Sequence, residues 1–115
     1  IGIDLIETVL GKNEAQASPD VVYWKGNYHM FFSYREGTNY RKNKRGYKIG
    51  YAFSKDLINW TRDDTKVGID LSKEGDFDNE SMAYPHVFKL NNTLNMLYLG
   101  NEVGRYGFGW AKLKI

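Results

Sequence analysis

The chain has two prolines, and a glutamate stands five residues ahead of each: Glu14 before Pro19 and Glu80 before Pro85. Two carboxylates at equivalent places can divide acid–base work, one keeping its proton while the other stays ionised. Cleavage of a glycosidic bond needs such a pair, ~5–5.5 Å apart for retention of configuration and ~6.5–9.5 Å apart for inversion. Glu80 reads as the acid and Glu14 as the second carboxylate. Around them stand groups suited to binding and tuning: Arg35 and Glu36, Asn101 and Glu102, and nearby Arg105. Arg and Asn beside a carboxylate hold it ionised and orient hydroxyl groups. Asp20 and His86 each follow a proline directly, while Tyr84, Tyr106 and Trp110 offer faces on which a ring can stack.

A plainer arrangement competes for the same residues. A Glu before one strand and an Arg after its partner can form a salt bridge that staples the unit, and a staple should repeat where a catalytic group occurs once. His29 falls inside a strand and reads as a packed residue. The basic cluster at 41–45 reads as a solvated hairpin tip. Asp76-Phe-Asp-Asn-Glu80 alternates oxygen ligands but lacks the glycine and length of a calcium loop, so neither a metal nor any other cofactor is expected.

These groups are placed by an internal repeat of about sixty residues. Glu14-Ala-Gln-Ala-Ser-Pro-Asp-Val-Val22 aligns with Glu80-Ser-Met-Ala-Tyr-Pro-His-Val-Phe88, and the register runs on to Met30 on Met96 and Glu36 on Glu102. After one loop of different length, Tyr47-Lys-Ile-Gly-Tyr-Ala52 falls on Tyr106-Gly-Phe-Gly-Trp-Ala111. In each copy the start of the first strand lies beside the end of the second. Glu14, Arg35, Glu36, Glu80, Asn101, Glu102 and Arg105 should therefore share one end of two sheets.

With 115 residues, 16% of them aromatic, twelve glycines and two prolines, the composition leans toward β structure in at most one domain. The net charge of +2 gives no reason to expect nucleic acid, and no apolar run reaches the ~20 residues that would span a membrane. Without cysteine there is no disulfide framework, thiolate metal site or thiol nucleophile. The first residue is Ile, and the chain is expected to be a piece of something longer.

In order, residues 3–10 read as a strand, the outer one of a preceding unit. The residue before Pro19 should be extended. Residues 21–24 and 28–34 form a hairpin about Lys25-Gly-Asn27, and 47–53 add a third strand. Ser54-Lys-Asp-Leu-Ile-Asn-Trp60 turns the chain into a short outer strand at 60–62, with Trp60 expected between neighbouring sheets. The carboxylate-rich stretch 63–78 crosses to the second copy, whose strands are expected near 86–90, 93–99 and 106–112. No helix is expected. Three or four antiparallel strands, a crossing, then the same again describe consecutive blades of an all-β propeller. The units are 14–78 and 79–115, with 1–13 belonging to a preceding blade or linker.

The segment 18–32, Ser-Pro-Asp-Val-Val-Tyr-Trp-Lys-Gly-Asn-Tyr-His-Met-Phe-Phe, resembles the Pro-containing inner hairpin of the five-bladed propeller glycoside hydrolases of families 32, 43, 68 and their relatives. Ser54-Lys-Asp-Leu-Ile-Asn-Trp60 resembles their recurring Ser-x-Asp-Leu-x-x-Trp turn. Residues 78–88, 96–101 and 107–109 are similar to the last part of family-43-like propellers. The resemblance spans roughly residues 14 to 112 and implies about two blades of five, a carbohydrate partner and hydrolysis of glycosidic bonds. In those enzymes a catalytic Asp precedes the inner-strand proline and an acid Glu stands two before its own; here Ser18 and Ala83 hold those places. A non-catalytic sugar-binding propeller is the second reading. Two blades alone leave apolar faces and strand edges uncovered, so association with further blades or with copies of the chain is expected.

Overall fold

The computed structural model describes residues 6–11, 13–36, 46–67, 82–105 and 107–113. They form two antiparallel sheets. The first runs β1 (Glu14–Trp24), β2 (Asn27–Glu36), β3 (Lys48–Ser54) and β4 (Thr61–Arg62) in sequence order. The second runs β5 (Ala83–Leu90), β6 (Thr93–Leu99) and β7 (Phe108–Leu113). Both leading hairpins close through two residues with positive φ, Lys25-Gly26 and Asn91-Asn92, the backbone that matches the twist of paired strands.

β5 lies against β1 and β2. The core fills the space between the sheets, with Phe31, Ile49 and Tyr51 from one side and Val87, Leu94, Met96, Tyr98 and Leu113 from the other. A second cluster, Met30, Phe32, Tyr34 and Ala52, occupies the opposite face of the first sheet under Ile6 and Trp60. Stacked antiparallel sheets of this kind, each led by its own hairpin, are blades of a β-propeller. Trp60 covers the face of the first sheet turned away from the second, so it does not lie between these two sheets. Residues 6–10 are not strand, so the described part of the strand expected over 3–10 is absent. Two short helical pieces depart from the expectation of none: a 3-10 turn, Asp64–Lys66, and one α turn, α1 (Asn101–Gly104).

Partnered residues in an antiparallel ladder share a face, so register separates the two sides of each sheet. Toward the second sheet the first turns Asp20, Phe31, Tyr51, Ser33 and Ile49. The repeat carries these onto His86, Leu97, Trp110, Leu99 and Phe108, which lie on the far face of the second sheet. There Phe108 is 69% and Trp110 60% exposed. The face that one blade buries, the next presents to solvent. The repeat also preserves a glycine under a ring: Phe32 is partnered with Gly50, and Tyr98 with Gly109. A Cβ on Gly50 would come within 2.6 Å of the Phe32 ring, and one on Gly109 would collide with Tyr98. Only glycine lets the ring lie flat over the strand.

Candidate functional site

Both inner strands break register at their proline. Ala17 partners Ser33, yet Asp20 partners Phe31; Ala83 partners Leu99, yet His86 partners Leu97. Each bulge inserts one residue, and the residue before proline takes a left-handed backbone, with φ of 52° at Ser18 and 54° at Tyr84. This corrects the expectation of an extended residue before Pro19. It also has a side-chain consequence. Strict alternation would send Asp20 to the same face as Gln16, toward Tyr34 and the second cluster. The extra residue turns Asp20 toward the second sheet instead.

There Asp20 joins the two blades. Its Oδ2 accepts the Val87 N–H, a donor on the open edge of β5, and lies 3.3 Å from Nδ1 of His86. The Tyr84 N–H donates to Ser33 Oγ at 2.9 Å. Two residues that correspond under the repeat, Asp20 and His86, therefore face one another across the blade junction. Tyr84 is 46% exposed and the His86 side chain 66%. The bulges thus present a phenol and an imidazole to solvent while backbone bonds fix them from behind.

At the sheet end the geometry around Glu14 differs from what its spacing suggested. Glu14 partners Glu36 and Ala15 partners Arg35, as expected for one shared end. The Glu14 side chain is nevertheless fully enclosed. Oε1 accepts the N–H groups of Val9 (3.1 Å) and Leu10 (3.2 Å); Oε2 accepts Gln16 Nε2 (2.7 Å) and Arg62 Nη1 (2.6 Å). Its cation is Arg62 of β4, not Arg35 as the stapling alternative had it. Arg62 also grips both Asp64 oxygens and the Glu7 carbonyl, with its guanidinium over the Phe32 and Tyr34 rings at 5.0 and 4.5 Å. Burial pushes the Glu14 pKa up, but the bonds from Gln16, Arg62 and Val9 outweigh it and the net shift is down. Burial likewise opposes the Arg62 charge, and Asp64 and Glu14 more than restore it.

Arg35 Nη1 donates to the Glu36 carbonyl at 3.1 Å, with the guanidinium 5.2 Å from the Tyr47 ring. Glu36 is half-buried, Asn101 is buried at the start of α1, and Arg105 is exposed just after it. Glu102 belongs to the same helical turn. Glu80, Tyr106, the cluster at 41–45 and the carboxylates at 76–80 lie outside the described residues. His29 is buried, as its strand position suggested. Among the described residues no three His, Asp or Glu side chains converge on a possible metal position. Sequence reasoning missed the Glu14–Arg62–Asp64 network. The one signal it had was Arg62 in an outer strand with acids directly after it.

Comparison with known proteins agrees with this architecture. The family model for the glycosyl hydrolases family 32 N-terminal domain matches residues 16–108. Two proteins of Mycobacterium tuberculosis, uncharacterized protein MT1551 (strain CDC 1551 / Oshkosh) and uncharacterized protein Rv1502 (strain ATCC 25618 / H37Rv), are each 37% identical over 109 residues. The match takes in 95% of this chain and 33% of theirs, so the chain spans about a third of the length of these relatives. Among solved structures, Zg3597, a family 117 glycoside hydrolase produced by the marine bacterium Zobellia galactanivorans, superposes with a TM-score of 0.73 at 19% identity, over 97% of this chain and 32% of its own. A second structure, named only as a glycoside hydrolase, gives 0.61 at 22% identity, over 89% and 28%. A third, a BT0996 RGII complex, gives 0.57 at 21% identity, over 87% and 27%. With a family model covering most of its length and stacked antiparallel blades as its fold, the chain belongs to the glycosyl hydrolases family 32 N-terminal domain family.

Proposed function

We propose that the chain contributes two adjacent blades to a five-bladed, carbohydrate-active propeller that cleaves glycosidic bonds, and that the proline bulges carry its sugar-facing side chains. The observation behind this reading is the duplicated bulge. A non-glycine residue held at positive φ is strained, and such strain persists where the surroundings enforce a special backbone. Here it occurs twice, at the same repeat position, in neighbouring inner strands. Tyr84 serves as a stacking face and His86 as a hydrogen-bonding partner for hydroxyl groups, with Asp20 holding His86 from the adjoining blade. Arg35, Glu36, Asn101, Glu102 and Arg105 we assign as further binding groups. Glu80 is retained as the acid. Glu14 we assign to holding the blade together, because every lone pair of its carboxylate is engaged and water does not reach it.

The test is turnover of aryl glycosides and oligosaccharides by the protein carrying Glu80→Gln or Tyr84→Ala. Loss of the acid should lower kcat about 10²-fold or more. Loss of Tyr84 should raise KM about tenfold with a smaller change in kcat, consistent with a stacking contact worth ~1–2 kcal/mol. Unchanged turnover in Glu80→Gln would overturn the acid assignment. A non-catalytic sugar-binding propeller is favoured by Ser18 and Ala83 at the places where the resemblance implies carboxylates. That reading predicts saturable glycan binding without hydrolysis, sensitive to Tyr84→Ala and indifferent to Glu80→Gln.

A further inference from the structure

A cleft of about 510 Å³ opens at the other end of the first sheet, where β1 turns into β2. Lys25 and Asn27 line it from that turn, His29, Tyr51 and Phe53 from the sheet, and Thr65 and Lys66 from the 3-10 turn. The volume is that of a small-molecule pocket. Its floor carries no free donor. Nε2 of His29 meets the Trp24 carbonyl at 2.9 Å, and because a carbonyl only accepts, that nitrogen bears the proton. Nδ1 pairs with the Tyr51 hydroxyl at 2.6 Å. Burial, helped by the charge of Asp63, pushes the Tyr51 pKa up to about 12, so the phenol keeps its proton. The floor is thus partly aromatic, with its hydrogen-bonding groups already partnered.

Charge sits at the rim. Lys25 Nζ lies 5.6 Å from the Trp24 ring and Lys66 Nζ 5.3 Å from the Phe53 ring. Neither ammonium is in an ion pair with a carboxylate among the described residues. Asp63, the nearby acid, accepts the Thr65 hydroxyl. Two cations, an amide and a hydroxyl around a partly aromatic floor make a site selective for an anion attached to a hydrogen-bonding body.

We infer that this cleft binds a small, hydroxyl-rich anion, either a uronic acid or a sugar phosphate. Its anionic group meets Lys25 and Lys66, and its hydroxyls meet Asn27 and Thr65. The inference rests on the proposed function only in taking the hydroxylated body to be a sugar. It needs no turnover, so failure of hydrolysis and failure of this site are separate results. The experiment is titration of the ¹⁵N-labelled protein with D-glucuronate, with glucose 6-phosphate and with neutral D-glucose, following the amides of Asn27, Phe53, Thr65 and Lys66. Saturable shifts at those amides with either anion, and none with glucose, are expected; the anion that binds more tightly identifies the source. Lys25→Gln with Lys66→Gln should weaken binding about tenfold or more, the loss of at least one charge-assisted bond. In the unaltered protein, rising salt should weaken binding in the same direction, which keeps the test alive if the double variant misfolds. No shifts at these amides with either anion, equal shifts with glucose, or no response to salt would each overturn the proposal.

Discussion

Replacing Arg62 by Met tests the account of Glu14. Met keeps most of the aliphatic length and removes the guanidinium, with its bonds to Glu14, both Asp64 oxygens and the Glu7 carbonyl. Stranding one member of a buried ion pair costs about 3–5 kcal/mol. Glu14 keeps three donors, from Val9, Leu10 and Gln16, which places the expected loss near the lower bound, about 3 kcal/mol. In a chain of this length about 1 kcal/mol moves Tm by about 4 °C, so a fall of about 12 °C is expected in a thermal scan followed by circular dichroism. Glu14→Gln alone should cost less, about 1–3 kcal/mol, since the amide can still accept the Val9 and Leu10 N–H groups. The two changes together should cost less than their sum by about 1 kcal/mol or more, because the second removes a charge that the first stranded. The pH profile has a definite sign. Glu14 is more acidic folded than unfolded, so its contribution is complete above the ordinary carboxylate pKa and fades as pH falls through the lowered folded value. Stability of the unaltered protein should therefore drop more steeply on acidification below about pH 5 than that of Glu14→Gln. A Tm for Arg62→Met within about 2 °C of the parent, or strict additivity in the cycle, would refute the reasoning.

Three further outcomes follow from the packing. Gly109→Ala should cost about 1–3 kcal/mol in urea unfolding because the new methyl group displaces the Tyr98 ring, and Gly109→Ala with Tyr98→Leu should recover part of that loss; no recovery would disprove the ring contact. Asp20→Ala should speed hydrogen exchange at the Val87 amide by about tenfold, with little change at Met96, which lies within the β5–β6 ladder; equal rates before and after would rule out the bond. Phe108→Ser with Trp110→Ser should lower the solution mass measured by light scattering across a concentration series if association uses the open face, and leave it unchanged if it does not.

Much of the fold was legible because the chain states it twice. The hairpin turns at Lys25-Gly26 and Asn91-Asn92, the strands that follow them and the outer strand at 60–62 all follow from period-two patterning and turn chemistry. The backbone at Ser18 was not, because the rule for residues before proline describes local sterics, and here the ladder around the bulge overrides them. The side of the first sheet that Trp60 covers was not legible either: its ring nitrogen donates to the Leu57 carbonyl and fixes it beside its own turn, a contact that spacing does not reveal. Part of the candidate site was legible as well. Arg35 and Glu14 stand at one sheet end by register; the contact between Asp20 and His86 was not legible, because a shared place after proline does not say that the two side chains meet. The partner of Glu14 was hidden by distance: Arg62 is 48 residues away, and charge alone made Arg35 an equal choice.

The repeat gives the molecule a direction. Each blade covers its predecessor with one kind of face and offers its successor the other, so the contact is head-to-tail and ends only where the rotation between blades closes a ring. On one side Ile6, Trp60 and the Arg62 guanidinium lie on the outer face of the first sheet. The other side, around Phe108 and Trp110, is open. Because the two faces differ in composition, a blade inserted in the reverse sense would set like face against like and leave the junction mismatched.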